Sequence, residues 1–236
     1  MKKLLIIKTG STFPEIKELY GDFEEQVLQQ MGIPAKDVMV ASVYKGEKLP
    51  GIDDISAIVI TGSHSMVTER EAWSVSLAEW LQSVRKLPIP ILGICYGHQL
   101  LADAFGGIVD YHPGGVEMGS VDIALSTDGK NDILLSVLPE HFPGYASHAQ
   151  TVLKLPEGAK LLARNEFEPH HAFVLDGHIW GVQFHPEFNK GITCSYIEAE
   201  REALMQQGRD VDALLRSVEE NEYGKILLRQ FIKLAI

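Results

Sequence analysis

The sequence has 236 residues, of which 45% are hydrophobic and 22% charged, a composition that supports a buried core without disulfides. Its formal net charge of −11, with no cluster of basic residues, argues against a nucleic-acid partner, because phosphate binding requires a basic surface. No apolar stretch approaches the roughly 20 residues that a membrane helix needs. Two cysteines are too few for a disulfide framework and favour a reducing compartment. We therefore expect a cytoplasmic protein with neither a membrane nor a nucleic-acid partner.

Short apolar runs alternate with helical patterns in the first half of the chain. This alternation is typical of strands joined by crossover helices in a parallel sheet. Helices are predicted over residues 15–31 and 71–86, and strands over residues 4–7, 38–43, 57–60 and 89–94. The pattern therefore favours an α/β fold with a doubly wound, mostly parallel sheet flanked by helices.

The pattern changes after Gly107 to short β-like segments, and Asp176-Gly177 is a strong hairpin signal. From Thr193 onward the chain becomes helical and charged. Strands are predicted over residues 116–125, 151–155, 160–164, 171–175 and 178–184, and helices over residues 197–207, 211–218 and 223–234. We expect a small antiparallel β element and a helical C-terminal tail. Residues 1–236 are interpreted as one domain, with its core at about 1–190 and an extension at about 191–236.

Cys95 lies between a predicted strand and a predicted helix, in the segment Gly-Ile-Cys-Tyr-Gly at 93–97. A nucleophile elbow needs small residues two positions before and after the nucleophile, because its strained backbone passes close to itself. The start of a helix also favours a thiolate and offers amides to a developing oxyanion. An isolated cysteine at a strand end is usually a small core residue, but the two glycines favour a nucleophile here. Cys194 has no such flanking glycines and is interpreted as a residue without a catalytic role.

The segment His-Pro-Glu at 185–187 follows the last predicted strand. A thiol nucleophile needs a base within hydrogen-bond reach and a carboxylate that fixes the tautomer of that base. Pro186 favours an extended conformation at His185, which can place His185 and Glu187 on the same side of the strand end. Alone, the segment indicates a structural histidine and a solvated glutamate. Together with the elbow, it predicts that Cys95, His185 and Glu187 are catalytic.

Two motifs, Gly-Ile-Cys-Tyr-Gly-His-Gln at 93–99 and Gly-Val-Gln-Phe-His-Pro-Glu at 181–187, resemble those of the class I glutamine amidotransferases. The resemblance is greatest to the amidotransferase portion of GMP synthetase and its stand-alone relatives, and covers about residues 4–190. It implies that Cys95, His185 and Glu187 form the family's catalytic triad. It implies no cofactor.

The resemblance also implies which residues line the substrate pocket. The backbone amides of Tyr96 and Ser63 would form the oxyanion hole. Ser147-His148 resembles the segment that holds the α-amino and α-carboxylate groups of glutamine, although by itself it would be an ordinary polar turn. Glu-Met-Gly at 117–119 resembles another stretch beside the pocket. Contacts with the bound glutamine are expected from Gly62, Gln99, Ser147 and His148.

One segment, Thr-Gly-Ser-His at 61–64, departs from the family pattern, which usually has two consecutive glycines and a proline there. Ser63 stands at the second glycine, whose amide would supply half of the oxyanion hole. We therefore expect this hole to form only after a rearrangement. His64 is interpreted as a loop residue near the pocket. No pair of histidines has the spacing of a helical zinc motif, so we expect no metal.

These motifs predict hydrolysis of glutamine through a γ-glutamyl thioester, which releases glutamate and ammonia. The sequence has no phosphate loop, so an ammonia-accepting synthetase is expected on a separate chain. Hydrolysis of γ-glutamyl peptides without ammonia transfer, which the altered 61–64 segment favours, and a non-catalytic redox-sensing α/β protein remain alternatives. The apolar positions of the tail favour packing on the chain's own sheet, with a homodimer contact or a docking site for the partner as alternatives.

Overall fold

The computed structural model describes residues 2–235, which form a nine-stranded sheet, a two-stranded sheet and flanking helices. The strands in chain order are β1 (Lys3–Lys8), β2 (Val38–Ser42), β3 (Ile55–Ile60), β4 (Ile91–Ile94), β5 (Ile108–Tyr111), β6 (Glu117–Leu125), β7 (His141–His148), β8 (Gln150–Lys154), β9 (Lys160–Arg164), β10 (Ala172–Leu175) and β11 (Ile179–Val182). The α-helices are α1 (Pro14–Tyr20), α2 (Phe23–Met31), α3 (Ala72–Val84), α4 (Tyr96–Ala104), α5 (Thr127–Asn131), α6 (Lys190–Ala199), α7 (Arg201–Gln206), α8 (Val211–Ser217) and α9 (Tyr223–Ala235). None of these helices has the length and apolar character to span a bilayer within the described residues.

The large sheet has the strand order β2-β1-β3-β4-β11-β10-β9-β6-β7. Its first five strands are parallel, and the remaining strands continue the sheet in antiparallel pairs. Strands β5 and β8 form the separate antiparallel sheet. The predicted α/β class is confirmed, with mostly parallel strands flanked by helices, a small antiparallel sheet and a helical C-terminus.

The parallel strands are buried on both faces, which explains their continuous apolar sequences. On β1, Leu5 and Ile6 are both fully buried but belong to hydrophobic clusters on opposite sides of the sheet. The carboxyl ends of β1, β3 and β4 lead directly into the loops at residues 9–13 and 61–66 and the turn at Cys95. In parallel sheets, ligand sites lie at this edge.

The prediction of one helix over residues 15–31 is wrong, because the chain turns between α1 and α2. Gly21 has a φ of 80°, which favours glycine and ends α1. Asp22 then caps α2 in a reciprocal capping box with Glu25. The pattern Asp-x-x-Glu at 22–25 was therefore a usable signal for a second helix start.

Strands β5 and β7 were not predicted, and Ser147-His148 ends a strand rather than forming the expected turn. The pairing of β7 with β6 places Ser147 opposite Met118 and His148 opposite Glu117. These two short sequence segments, about 30 residues apart, are therefore neighbours in the sheet. Their shared location could not be predicted from local polarity, since it depends on strand pairing.

The C-terminal helices begin earlier than the predicted residue 197, because Asn189 caps α6 by accepting a hydrogen bond from the Ile192 amide. In α9, Leu228 and Phe231 are fully buried in the same cluster as Trp180 of β11. The tail thus packs against the chain's own sheet. A homodimer contact remains a prediction.

Candidate active site

Cys95 occupies a strained turn between β4 and α4. Its φ of 50° and ψ of −100° are unusual for a residue with a side chain. A Cβ atom at Gly93 would lie 2.4 Å from the Gly97 carbonyl oxygen, and one at Gly97 would lie 2.6 Å from the Ile60 carbonyl oxygen. Both glycines are therefore required by close backbone approach, as the elbow motif predicts.

Cys95 lines a cleft of about 340 Å³. Its Sγ is 3.7 Å from the carbonyl oxygen of Ser147, while its backbone amide donates to the Val182 carbonyl oxygen at 2.8 Å. Helix α4 begins at the next residue, Tyr96, so the first amides of the helix have no partner within it. Cys95 thus lies where helix amides and a solvent-accessible cleft meet.

His185 and Glu187 are buried and joined by a hydrogen bond of 2.8 Å between Nδ1 and Oε1. The imidazole also stacks on Phe188, with 4.1 Å between the ring centroids. Burial lowers the pKa of His185, but the negative charges and hydrogen bonds of Glu187 and Cys95 outweigh it and raise the pKa to about 10. The histidine therefore pairs with Glu187 and favours its protonated form, while its catalytic partnership with Cys95 remains a prediction.

Gly62, in the loop after β3, lies beside the side chains of Cys95 and His185. A Cβ atom at this position would lie 3.1 Å from His185 Cε1 and 3.8 Å from Cys95 Cβ. A larger residue would crowd the imidazole. Gly62 therefore lies beside both side chains, and its predicted contact with a substrate remains a prediction.

The peptide between Gly62 and Ser63 is oriented by two threonines. The Gly62 carbonyl oxygen lies 3.0 Å from the Oγ1 atoms of both Thr9 and Thr61. Because a trans peptide directs its C=O and N–H groups to opposite sides, the Ser63 amide points away from these threonines. Thr9, in the loop after β1, was not identified from the sequence because no local motif indicates its contact.

The hydroxyl of Ser63 joins two loops at the predicted oxyanion hole. It donates to the Thr9 carbonyl oxygen at 2.9 Å and accepts a hydrogen bond from the Ser65 amide at 3.1 Å. Ser63 has no positive φ, so its backbone does not require glycine. Gly10 provides the necessary space, since a Cβ atom there would lie 2.6 Å from Ser63 Oγ. These contacts favour a loop that is already in place over the expected rearrangement.

The close approach of Gly10 and Ser63 predicts a compensating pair of substitutions. Gly10→Ala should displace Ser63 and lower the rate of the chemical step by about tenfold or more, in the range of partial loss of an oxyanion donor. Adding Ser63→Gly should restore much of the rate by removing the clash. Steady-state kinetics of the two single variants and the double variant measure this coupling. Additive losses would contradict the assigned contact.

The predicted substrate residues have different environments. Gln99 is buried, and its Nε2 donates to the Gln150 carbonyl oxygen at 2.7 Å and to Gln183 Oε1 at 3.0 Å. Ser147 approaches Cys95 through its carbonyl oxygen. The structure brings these residues to the cleft, while their contacts with a substrate remain predictions.

The ring of His148 is held inside the protein by Glu117. Its Nε2 lies 2.9 Å from Glu117 Oε2, and its Nδ1 lies 3.0 Å from the Gln150 carbonyl oxygen. Glu117 Oε1 accepts from Asn165, and Oε2 lies 3.1 Å from His171 Nε2, although off the hydrogen-bonding direction. Burial raises the pKa of Glu117, but the two histidines outweigh it and lower the pKa overall. Any contact of His148 with substrate would thus come from its backbone.

His64 lines the mouth of the cleft, as predicted for a loop residue near the pocket. It packs against Phe13 at 4.4 Å between ring centroids, and its Nε2 lies 3.3 Å from the Tyr196 hydroxyl. That hydroxyl also bonds Thr12 at 2.6 Å, so helix α6 supports the loops after β1 and β3. Sequence reasoning missed Phe13 and Tyr196, because their roles depend on contacts between distant segments.

Residues 2–235 contain no group of three or more His, Cys, Asp or Glu side chains arranged to hold a metal ion. Glu117, His148 and His171 are buried together, with Glu117 Oε2 2.9 Å from His148 Nε2 and 3.1 Å from His171 Nε2.

The family model for class I glutamine amidotransferases matches residues 18–200. The chain is 41% identical over 133 residues to a glutamine-hydrolyzing GMP synthase of Thermosipho africanus, covering 56% of this chain but only 24% of that protein. It is 30% identical over 200 residues to gamma-glutamyl peptidase 5 of Arabidopsis thaliana, covering 83% and 78% of the two chains. A crystal structure of a glutamine amidotransferase from Thermotoga maritima superposes with a TM-score of 0.79 at 24% identity, covering 100% of this chain and 99% of the other. The chain belongs to the class I glutamine amidotransferase family.

Proposed function

We propose that this protein hydrolyses the side-chain amide of glutamine through Cys95, His185 and Glu187. The observation that carries the proposal is the position of the buried His185, whose Nδ1 lies 2.8 Å from Glu187 Oε1 and whose ring lies next to Gly62, as does Cys95. Its raised pKa is consistent with this placement. A protonated imidazole beside the thiol favours a thiolate nucleophile and provides an acid for the leaving nitrogen. Glu187 fixes the orientation of the ring.

The reaction starts when the Cys95 thiolate attacks the amide carbon of glutamine and forms a C–S bond. The amides of Ser63 and Tyr96 are proposed to stabilise the negative charge on the former carbonyl oxygen. His185 gives its proton to the amide nitrogen, the C–N bond breaks, and ammonia leaves a γ-glutamyl thioester. Water then loses a proton to His185 and attacks the thioester, which releases glutamate and regenerates the thiolate.

The ammonia is proposed to serve a synthetase site on a separate chain. Several relatives are named glutamine-hydrolyzing GMP synthases, but this chain spans less than a third of the length of those proteins. The similarity therefore supports the glutamine-hydrolysing part and leaves the acceptor unassigned. A cytoplasmic location and a homodimer remain predictions.

Hydrolysis of γ-glutamyl peptides is the second candidate. It is supported by similarity to two Arabidopsis gamma-glutamyl peptidases that extends over 78% and 90% of their lengths. The same thioester chemistry applies, with a peptide amine as the leaving group in place of ammonia. A redox-sensing role is less favoured, because it gives no reason for the buried pairing of His185 with Glu187.

Glutamate release separates the two hydrolytic candidates. The purified protein is incubated with glutamine and, separately, with γ-glutamylglycine, and kcat/KM is measured for each. A higher value for glutamine supports the first proposal, and a higher value for the dipeptide supports the second. No glutamate from either substrate would contradict the proposed hydrolysis.

The pH dependence tests the assigned partnership of His185 and Glu187. Because the leaving nitrogen needs the proton of His185 in the enzyme–substrate complex, kcat should fall as pH rises through the pKa of this histidine, which is raised to about 10. Glu187→Gln removes a negative charge that raises this pKa, so the basic limb should move to lower pH. A pH profile of both proteins with the faster substrate measures the shift. An unchanged basic limb would contradict the role of Glu187.

A further inference from the structure

Within residues 2–235, Glu200 is the one acidic residue that lines the cleft beside Cys95. The same wall contains apolar side chains, including Phe13 and Met118. The adjacent basic residue in the sequence, Arg201, is bound to Glu198 at 2.7 Å and to Asp212 at 3.0 Å instead. In the described residues, the Glu200 carboxylate accepts no hydrogen bond and forms no ion pair. It is therefore a negative charge in the cleft without a protein counter-ion.

The three histidines near the cleft do not compensate this charge. His64 has its pKa lowered by burial and by the positive charge of His185, which favours its neutral form. His148 is directed inward to Glu117, and His185 is paired with Glu187. The partly exposed Glu200 side chain is therefore available to a ligand of opposite charge.

The position of Glu200 is fixed by the helices around it. Its amide donates to the Tyr196 carbonyl oxygen at 3.0 Å, and its own carbonyl oxygen accepts from the Leu204 amide at 2.9 Å. Farther along the extension, Arg209 Nη1 donates to the carbonyl oxygen of Val116, another residue of the cleft wall, at 3.1 Å. The carboxylate is thus attached to a supported part of the fold.

We propose that Glu200 binds the α-ammonium group of the γ-glutamyl substrate. The inference rests on the proposed function and specifies which end of the substrate the cleft recognises. Glutamine has its reacting amide at one end and its α-ammonium and α-carboxylate at the other. In both glutamine and γ-glutamylglycine the α-ammonium is the only cation, and a carboxylate attracts it while repelling the anionic groups. Glu200 thus selects substrates with a free α-amino group.

Calorimetric binding tests this selection without requiring turnover. In a Cys95→Ala background, binding is measured for glutamine and for glutaramate, which is glutamine without its α-amino group. Glu200→Gln should weaken glutamine binding by about tenfold or more, as expected for loss of a charged hydrogen bond, and change glutaramate binding by less than about twofold. Glu202→Gln, an exposed residue of α7 outside the cleft lining, is the matched control and should change neither.

Hydrolysis by the proteins that retain Cys95 provides the second readout. Glu200→Gln should raise KM for glutamine by about tenfold with kcat within about twofold, since the interaction is present in the ground state and the transition state. If Glu200→Gln weakens the binding of glutamine and glutaramate equally, or leaves glutamine binding unchanged, the assigned role of Glu200 is wrong. If glutamine binding depends on Glu200 but the protein releases no glutamate, the role of Glu200 is supported and the proposed reaction is rejected. Hydrolysis with unchanged selectivity would sustain the reaction and reject the role of Glu200.

Discussion

Replacement of Cys95 by alanine is expected to reduce glutamate release by roughly 10⁴-fold or more, because the nucleophile of a covalent mechanism is removed. Cys95→Ser should be similarly inactive, since His185 is placed to partner a thiolate. The fold should persist, because the strained turn is maintained by Gly93 and Gly97 rather than by the thiol. Initial rates with the faster substrate, together with near-UV circular dichroism, measure both effects.

Cys194→Ser is the matched control for this experiment. Cys194 lies on α6, and burial raises the pKa of its thiol, which disfavours the thiolate. It does not line the cleft that contains Cys95. The variant should retain activity within about twofold, in the range of neutral substitutions away from a site. Activity retained without Cys95 but lost without Cys194 would refute the assignment of the nucleophile.

Phe231→Ala is expected to cost about 3–5 kcal/mol of unfolding free energy, the usual range for removing a buried aromatic side chain. Phe231 is fully buried in α9 and contacts Trp180 edge-on, with 6.3 Å between ring centroids. Ile226→Ala is the control on the same helix, because Ile226 is 41% exposed, and should cost less than about 1 kcal/mol. Urea unfolding followed by tryptophan fluorescence measures both changes.

Truncation after Lys190 extends this prediction to the whole tail. It removes Leu228 and Phe231 from the central core together with Tyr196, which supports the loops of the cleft. The truncated chain should therefore fail to fold as a soluble protein. A soluble, active fragment would show that the tail packs on the sheet without stabilising it. The predicted homodimer contact would then be the alternative role of the tail.

The turn at Cys95 and the pairing of His185 with Glu187 could be predicted from the sequence, because the proposed chemistry constrains neighbouring positions. Gly93 and Gly97 are needed wherever the chain makes an elbow at Cys95, so their spacing indicates the turn directly. The same is true of His185 and Glu187, which are separated by one proline at a strand end. Local geometry therefore specifies these three side chains once the strand and helix are recognised.

The surroundings of the reaction centre depend on contacts between distant segments, which spacing does not reveal. Thr9 orients the Gly62 peptide although the two residues are 53 positions apart in the sequence. The Tyr196 hydroxyl forms a hydrogen bond with Thr12, although the two residues are 184 positions apart in the sequence. The position of Glu200 likewise depends on how the C-terminal helices pack against β6. None of these residues belongs to a local motif.

Ser63, which differs from the glycine of the family pattern, can be interpreted correctly only together with Gly10. A serine in place of a glycine suggests strain when the position is considered alone. In the structure Ser63 has no positive φ, and its hydroxyl occupies space left by Gly10. The sequence contains both residues, but their compensation becomes visible only when β1 and β3 are known to be neighbours.

Trapping the γ-glutamyl thioester tests the proposed mechanism most directly. The protein is mixed with excess glutamine or γ-glutamylglycine, quenched in acid within the first turnover, digested and analysed by mass spectrometry. We expect a γ-glutamyl adduct on the peptide that contains Cys95, which disappears as water completes the reaction and is absent in Cys95→Ala. Glutamate release with no such adduct at any quench time, or an adduct on Cys194, would contradict catalysis by Cys95.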